Sequence, residues 1–473
     1  MSHVTDLASF DRWFVAHGPH LGYAGPDPHY ALGLDRLAPS LRIACAEETP
    51  ACALLRERGT AVWTPPGGRL IGNAEGALAV DAARPAADGV AAAERGRSAV
   101  ALLHDPRAAG FIGGAGAALV AFKTSHALEV QAAALGWRLL ASPAALGRRW
   151  ENKVTFRALA GALDIPQPDG VVLDLADADH DALAARLGAG FVLQAAHGYA
   201  GNRTVRIRSV AALESAKRSL RARRVRATAW VEGTPITVNA CATRRGIAVA
   251  APFEQVTGLS ALTPYALGSC GQRWAAGARG APTVTVLAER LGEALANAGY
   301  RGFYGVDAVV AADGTAYAIE VNPRLVASIA AFTQLELLAG RLPLFARHLL
   351  AWLDPDADEA ALDGHRAPLA GGQLVVHNVT GRPARLRAPL GAGAYRLGAD
   401  GAPDFVRPGC HLADLRGADE VLLLPASTAL PIPADAAWAR LQALEPLSGA
   451  AGGPLTAEAQ RIVAWLQGQL AGG

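Results

Sequence analysis

The chain has 473 residues, of which 51% are hydrophobic, so it is long enough to form several domains with substantial cores. Its 44 basic and 42 acidic side chains nearly cancel, which argues against nucleic acid or an anionic membrane as a partner. No apolar run approaches the roughly 18 residues of a membrane-spanning helix, and the N-terminus lacks a signal-peptide pattern, so we expect a cytoplasmic protein. The five scattered cysteines include no C-x-x-C pair and predict buried, reduced thiols.

Short apolar runs alternate with helical segments through the N-terminal third of the chain. Thr49 and Pro50 are typical of a helix cap and first turn. This rhythm predicts an open parallel α/β sheet in a first domain over residues 1–148. Gly114-Ala115-Gly116 is only part of a dinucleotide-binding fingerprint, so we expect residues 117–120 to be packed helix. The strand-like runs are residues 41–46, 61–64, 100–104 and 137–140.

The pattern changes at Asn152, where a helix is predicted to begin and to run to Leu163. Strands and helices then alternate until an acidic linker over residues 354–358. Short strand-like runs and turns follow, which predict a small β-rich C-terminal domain closed by a helix over residues 457–470. Two of its strand-like runs are residues 373–378 and 421–424, and the predicted domains are residues 1–148, 149–355 and 363–473.

A predicted β-hairpin over residues 305–324 carries the most informative pattern. Two β-branched runs flank an Asp-Gly pair, which favours a two-residue type I′ turn and would place Asp307 opposite Glu320. Opposed residues lie about 4.5 to 5.5 Å apart at Cβ, and two carboxylates at that distance repel unless a cation lies between them. Asn322 points to the same face, and these three side chains offer the hard oxygen ligands that suit magnesium. Arg324 adds a fork for a phosphoryl or carboxylate group.

The alternative interpretation is a surface hairpin in which the pair of like charges is incidental. We favour the metal site, because opposed acids in so apolar a ribbon would cost stability without a ligand.

A second signal lies in residues 191–204, where an apolar strand enters a loop that contains Gly198 and Gly201. Glycines let backbone N–H groups approach phosphates closely, and Arg203 would supply charge. An ordinary glycine-containing hairpin explains the segment equally well. His197 is expected to be a loop contact and not a base.

Taken together, these motifs resemble the ATP-grasp superfamily of carboxylate–amine ligases in their order and spacing. The resemblance rests on Asn152-Lys153 before a helix, the Gly198 and Gly201 loop, Val231-Glu232-Gly233 and the hairpin ending in Glu320-Val321-Asn322-Pro323-Arg324. It implies an α/β (α+β) ATP-grasp fold, with an N-terminal Rossmann-like pre-ATP-grasp domain, a lid subdomain at about residues 165–228 and a small β-rich C-terminal domain.

The resemblance also implies roles for individual residues, with ATP and Mg²⁺ as cofactors. Lys153 and the loop over residues 198–204 would contact the nucleotide phosphates, and Arg324 would steady an acyl phosphate. The implied adenine contacts are Trp230, Val231 and Glu232, and the implied magnesium ligands are Asp307, Glu320 and Asn322.

Two residues depart from the family pattern. Gln194 stands where many members place a second phosphate-binding lysine, so phosphate binding would be weaker or would be rescued by Arg203. Pro235 stands where several members carry an acid, which affects the contact near Glu232.

The implied function is activation of a small carboxylate as an acyl phosphate and its transfer to an amine, as in the amino-acid and peptide ligases of natural-product pathways. The partners would be a small-molecule carboxylate and an amine. Similar loops in the family line the acceptor site, which makes Arg273 a candidate catalytic residue for a substrate carboxylate, beside Arg324. Ser328 would share a helical face with Arg324.

Three alternatives stay open. The first is loading of an amino acid onto a carrier-protein thiol, for which the basic run over residues 221–226 offers a docking face, although a solvated helix face explains it more simply. The second is a biotin-carboxylase-like enzyme that uses a separate carrier subunit. The third is a non-catalytic nucleotide-binding regulator. For the first domain, dimer contact in a homodimer and acceptor binding are both open.

Overall fold

The computed structural model describes residues 3–66, 98–198, 201–359, 362–398, 401–426 and 431–472. None of the helices in these ranges has the length and apolar character that crossing a membrane requires. The N-terminal elements are β1 (His3–Val4), α1 (Leu7–His17), β2 (Leu21–Gly25), α2 (Leu34–Leu37), β3 (Arg42–Cys45), α3 (Pro50–Glu57), β4 (Ala61–Trp63), α4 (Ala99–Leu103), α5 (Pro106–Ile112), β5 (Ala118–Val120), α6 (His126–Ala134) and β6 (Arg138–Leu139).

Five of these strands form a parallel sheet in the order β4-β3-β2-β5-β6, which confirms the predicted open α/β sheet. Two local predictions were wrong. Residues 100–104 lie mostly in α4, where the Ser98 side chain accepts a hydrogen bond from the Ala101 amide at 3.2 Å. Residues 118–120 form the strand β5, which is fully buried. Such short apolar runs suit either conformation, and the sheet partners β2 and β6 decide in favour of a strand.

Two helices lead into the middle of the chain: α7 (Ala144–Glu151) and α8 (Lys153–Ala162). Asn152 separates them, and its side-chain oxygen accepts hydrogen bonds from the Val154 and Thr155 amides at 3.0 and 3.1 Å. This is an N-cap, as the sequence predicts. The cap begins a helix whose first residue is Lys153.

A small separate sheet follows, with its own apolar core. Its strands pair antiparallel in the order β7-β10-β8-β9, and two helices cover one face. We call this unit the lid sheet. Its elements are β7 (Gly170–Asp174), α9 (His180–Leu187), β8 (Val192–Ala195), β9 (Thr204–Arg206), α10 (Val210–Ser219) and β10 (Arg224–Thr228). The basic run over residues 221–226 therefore enters a strand and does not form the predicted helix face.

The largest sheet has eleven strands, in the order β16-β15-β11-β13-β14-β18-β23-β22-β20-β21 with β12 beside β11. Its first elements are β11 (Gly233–Thr243), β12 (Gly246–Val249), β13 (Phe253–Thr257), β14 (Ser269–Trp274), α11 (Ala281–Asn297), β15 (Gly302–Ala311), β16 (Ala316–Asn322), α12 (Ile329–Leu338) and α13 (Leu344–Leu353).

The C-terminal strands extend this same sheet, because β18 pairs with β14. The β-rich C-terminal part therefore joins the central sheet directly, and the predicted domain boundaries stay a prediction. Its elements are β17 (Asp358–Glu359), β18 (Gly371–His377), β19 (Ala384–Leu386), β20 (Gly393–Leu397), β21 (Pro403–Pro408), β22 (Val421–Pro425), β23 (Ala437–Ala443), α14 (Ala457–Gly468) and β24 (Leu470–Gly472).

Candidate active site

The hairpin of β15 and β16 holds two carboxylates face to face. Asp307 pairs with Glu320, which confirms the predicted opposition. The turn differs from the prediction: Ala311 donates its amide to the Thr315 carbonyl at 2.9 Å, which leaves a three-residue loop with Gly314 at a φ of 87°. A bulge between residues 307 and 308 makes Ile319 the extra residue of β16 and restores the register at Asp307.

Both carboxylates are held by hydrogen bonds on one face of the sheet. Thr237 and Gln255 donate to Oδ1 of Asp307 at 2.7 and 2.6 Å. The Nδ2 atom of Asn322 lies 3.1 Å from Oδ2 of Asp307 and 3.4 Å from Oε1 of Glu320. The three predicted metal ligands therefore converge at one point of the structure.

Electrostatics at this point fit a cation. Burial, together with the neighbouring charge of Glu320, raises the pKa of Asp307. For Glu320, burial acts to raise the pKa, but the nearby Lys153 ammonium outweighs it and lowers the pKa. Two buried acids in contact are stabilised by a metal ion between them. A half-turn of the Asn322 amide would give up the hydrogen bond that its oxygen accepts from Arg324 and bring that oxygen to the same ion, so the residues present fit magnesium.

Lys153, at the start of α8, reaches the hairpin directly. Its Nζ atom lies 2.5 Å from Oε2 of Glu320, and the residue is 7% exposed. Its amide also donates to the Ala196 carbonyl at 2.9 Å, which ties α8 to the end of β8 in the lid sheet. Lys153 is thus positioned where the lid sheet and the central sheet meet.

Arg324 follows the hairpin and is held on three sides. Its Nε atom donates to Glu151 at 2.5 Å and its Nη2 atom donates to Oδ1 of Asn322 at 2.9 Å. Its guanidinium also lies 5.3 Å from the centre of the Phe122 ring. Lys123 holds the other oxygen of Glu151 at 2.7 Å. These contacts fix the arginine fork beside the carboxylates.

The lid sheet contains a buried cation that the sequence motifs do not indicate. Arg226, on β10, is 2% exposed, and its Nε atom donates to Oε1 of Gln194 at 3.0 Å. Its Nη2 atom donates to the Ile319 carbonyl at 2.8 Å, at the bulge of the hairpin of β15 and β16. It forms no ion pair within the described ranges. Arg226 pairs in register with Gln194, a relationship that depends on the pairing of distant strands and is not visible in the sequence.

The structure does not bring Arg203 to the same position. Its Nη2 atom donates to the Leu220 and Arg221 carbonyls, so the guanidinium caps the end of α10. Residues 199 and 200 of the predicted phosphate loop lie outside the described residues. Gly201 has a φ of 77° and lies so close to Gly268 that an added Cβ would be 2.6 Å from its Cα. Gly198 precedes the gap and is exposed.

The predicted adenine residues lie between the lid sheet and β11. Trp230 donates its indole N–H to Glu232 at 2.6 Å, and the Arg206 guanidinium lies 3.8 Å from the centre of the indole ring. Val231 lies between these two residues in an irregular segment whose backbone groups are free of sheet pairing. Ser328 is buried and exchanges hydrogen bonds with Asn239 at 3.2 and 3.3 Å.

Arg273 lies on the other face of the central sheet. It pairs in register with Glu254, and Glu254 pairs with Ile236, whereas Asp307 pairs with Thr237. Alternation along the strands therefore separates Arg273 from the carboxylates. Its guanidinium lies 3.5 Å from Oε2 of Glu254 and donates to the Ser448 carbonyl at 3.1 Å. The structure does not bring Arg273 to the candidate active site.

Comparisons with known proteins identify one domain of the chain and its fold. Residues 151–328 match the family model of the ATP-grasp domain. The Hydrogenobacter thermophilus 2-oxoglutarate carboxylase biotin carboxylase domain, solved with MgADP, ADP and bicarbonate, is 10% identical with a TM-score of 0.60, over 89% of this chain and 85% of that one. A biotin carboxylase from Campylobacter jejuni is 13% identical with a TM-score of 0.59, over 89% and 86%.

A third solved structure has a similar fold. The N5-carboxyaminoimidazole synthase from Aspergillus clavatus, solved with ADP and its aminoimidazole ribonucleotide, is 15% identical with a TM-score of 0.52, over 95% of this chain and 98% of that one. No curated protein sequence matches the chain. Residues 151–328 therefore form an ATP-grasp domain, and the solved structures show that the chain shares the fold of these enzymes.

Proposed function

We propose that the chain activates a small-molecule carboxylate with ATP and joins it to an amine. A carboxylate oxygen bonds to the γ-phosphorus and the bond to ADP breaks, which gives an acyl phosphate. The amine nitrogen then attacks the acyl carbon, phosphate leaves, and the amine proton passes to phosphate or water. The observation that supports this proposal most strongly is the buried pair of Asp307 and Glu320 beside Lys153.

Magnesium, when bound, would neutralise charge on the transferred phosphoryl group. Asp307, Glu320 and Asn322 would hold it from one rigid hairpin. Lys153 is close enough to exchange Glu320 for a phosphate oxygen. Arg324, fixed by Glu151, would bind the acyl phosphate. In phosphoryl transfer, a protein contributes mainly by positioning the reacting groups and neutralising their charge.

On the lid side, we propose that Arg226 supplies the cationic charge that Gln194 lacks. A desolvated guanidinium whose hydrogen-bond partners are neutral attracts an anion, and the nearby Glu320 carboxylate satisfies this charge only in part. Gln194 and the Ile319 carbonyl orient the planar fork. The backbone near Trp230, Val231 and Glu232 would hold the adenine, and the loop at Gly198 and Gly201 would close over the phosphates.

The acyl donor itself has two candidate classes. An amino acid or other small carboxylic acid gives an amide or peptide bond, as in natural-product ligases. Bicarbonate is the second candidate, because the structural neighbours include biotin carboxylase domains, one of them solved with bicarbonate. Transfer to a carrier-protein thiol gains little support, since Arg226 of the basic run is buried. Homodimer formation stays a proposal.

The deciding experiment is ADP release with ATP and Mg²⁺ across a panel of amino acids, dipeptides, other small carboxylates and bicarbonate, with mass spectrometry of the products. ADP formation that requires two substrates and yields an amide would support the ligase. Release of AMP would contradict the acyl-phosphate route. Tight ATP binding without turnover for any pair would favour a nucleotide-binding regulator.

A further inference from the structure

A group of buried polar atoms without partners lies outside the carboxylate site, between the N-terminal sheet and the central sheet. The hydroxyl of Tyr23, both ring nitrogens of His29 and Oε1 of Gln442 find no hydrogen-bond partner among the described residues. These three residues are 0%, 4% and 0% exposed. An unsatisfied buried polar atom costs about 1 to 3 kcal/mol, so several in one region need an explanation.

Tyr23 and His29 come from the carboxyl end of β2, in the middle of the N-terminal parallel sheet. The chain leaves β2 at Gly25 and turns through Asp27, whose carboxylate accepts the His29 amide at 2.8 Å. Ligands of open α/β sheets bind at the carboxyl ends of the strands. The Tyr23 hydroxyl lies against Gly25, where an added Cβ would be 2.3 Å away, so only glycine leaves the hydroxyl this position.

Arg440, on β23 of the central sheet, faces this group. Its side chain is 14% exposed, and its Nη1 atom lies 3.9 Å from Oδ2 of Asp27, beyond hydrogen-bonding distance. Its guanidinium lies 5.3 Å from the centre of the Tyr30 ring. Asp27 is therefore a long-range ion-pair partner of Arg440, which makes no hydrogen bond to that carboxylate although most of the arginine surface is removed from water. A guanidinium in this state favours an incoming anion.

The charge of Arg440 also acts on its neighbours. Burial, and then the charge of Arg440, lowers the pKa of His29 well below 6.5, so its imidazole is neutral at pH 7. Burial raises the pKa of Tyr23 well above 10, so its hydroxyl keeps its proton. The group thus presents one cation together with neutral donors and acceptors.

Two chains of contacts connect Arg440 to the carboxylate site. One is aromatic: the Tyr30 and Phe122 rings stack at 4.2 Å between their centres, with Arg440 5.3 Å from the centre of Tyr30 and Arg324 5.3 Å from the centre of Phe122. The other is a row of glutamines on the face of the sheet that carries Asp307. The register aligns Gln255 with Gln272, Gln272 with Gln373, and Gln373 with Gln442.

We infer that Tyr23, His29 and Arg440 form the binding site for an anionic group of the amine substrate, a carboxylate or a phosphate. The inference rests on the proposed ligase function and adds a substrate class to it. The anion binds Arg440, and Tyr23 and His29 hydrogen-bond to neutral polar atoms of the same molecule. The aromatic stack directs the rest of that molecule toward Arg324.

The direct test is binding of two probes, inorganic phosphate and acetate, by calorimetry in the presence of saturating MgADP, which occupies the nucleotide site. We expect saturable binding of one probe to the wild-type chain. Arg440→Met should weaken that binding on the order of tenfold or more while the affinity for MgADP stays the same. Arg385→Met, which removes an exposed arginine of β19, is the matched control and should bind the probe like the wild type.

Tyr23→Phe provides a second variant that keeps the shape of the core. If the hydroxyl serves a ligand, the variant folds at least as stably as the wild type without a probe but gains less stability when the preferred probe is added. Equal probe binding by wild type, Arg440→Met and Tyr23→Phe would overturn the inference, as would the absence of saturable binding to the wild type. These measurements do not need turnover, so failure of the ligase function would be seen separately, as absence of ADP release.

Turnover measurements test the inference independently. Among amines that stimulate ADP release, anionic ones should show a KM in Arg440→Met raised on the order of tenfold, with the KM for ATP unchanged. A preference for neutral amines that is unaffected by Arg440→Met would rule the site out.

Discussion

Lys153 Nζ lies 2.5 Å from Oε2 of Glu320, so the first residue of α8 is ion-paired with the second strand of the hairpin of β15 and β16. This contact joins the lid side of the molecule to the central sheet. The ammonium stabilises the ionised Glu320, which is the form that a metal ion would require. Glu320 is consequently the residue whose loss should matter most for magnesium.

We expect Glu320→Gln to lower ADP formation about a hundredfold or more, because the variant keeps the shape of the side chain and loses a charged metal ligand. The measurement is ADP release as a function of magnesium concentration, with circular dichroism to establish folding. Glu214→Gln on α10 removes an acid whose side chain is 50% exposed and serves as the control. A fully active Glu320→Gln variant would remove the magnesium assignment.

Arg226→Met should raise the KM for ATP on the order of tenfold to a hundredfold, since a buried cation that contacts phosphate contributes roughly 1.5 to 3 kcal/mol. Arg224→Met, on the same strand at an exposed position, should leave the KM close to that of the wild type. Nucleotide affinity measured by calorimetry for both variants decides the matter. Equal affinities would show that Arg226 only orders the lid sheet.

Arg273→Met tests whether Arg273 has the catalytic role that the sequence predicts or only the structural role that its position indicates. The side chain of Glu254 is 6% exposed, and the variant leaves it without its cation, so we expect the chain to lose about 1 to 3 kcal/mol of stability. Because Arg273 lies on the opposite face from Asp307, kcat should change little. A large fall in kcat with unchanged thermal stability would support a catalytic role for Arg273.

Stability should depend on pH through a contact between the N-terminal and C-terminal parts of the chain. Nε2 of His411 lies 2.9 Å from Oδ2 of Asp35. Burial opposes protonation, but Asp35 outweighs it and raises the pKa of His411 to about 10. The unfolded value is near 6.5, so this stabilisation is complete below pH 6.5 and is lost as the pH rises toward 10.

The free energy of unfolding should fall by on the order of a few kcal/mol over that range, because each tenfold difference in proton affinity between the folded and unfolded chain corresponds to about 1.4 kcal/mol. Urea unfolding at intervals between pH 6 and pH 10 measures this loss. Other groups titrate in the same range, so the comparison is with His411→Gln, which should show a flatter dependence. Parallel curves for the two proteins would contradict the assignment.

The sequence by itself determined the parts that depend on local pattern. Alternation and the Asp-Gly turn predicted Asp307 opposite Glu320, a pairing that holds because a bulge offsets the longer turn, and the cap at Asn152 fixed the start of the helix that presents Lys153. The alternating strands and helices also predicted the parallel N-terminal sheet. These features arise from residues close together in the chain, whose geometry follows from backbone preferences.

Only the tertiary structure decided the rest. The turn contains three residues and the bulge at Ile319 compensates for it, while β15 pairs with β11 along its whole length and Arg226 of the lid sheet donates to the Ile319 carbonyl. Arg226 belongs to a basic run for which the sequence favours a solvated helix face, and it becomes a buried cation only when distant strands pair. Arg273 was expected at the acceptor site because its segment resembles a family loop, but the segment forms β14, and the pairing of β14 with β13 puts Arg273 on the face opposite Asp307.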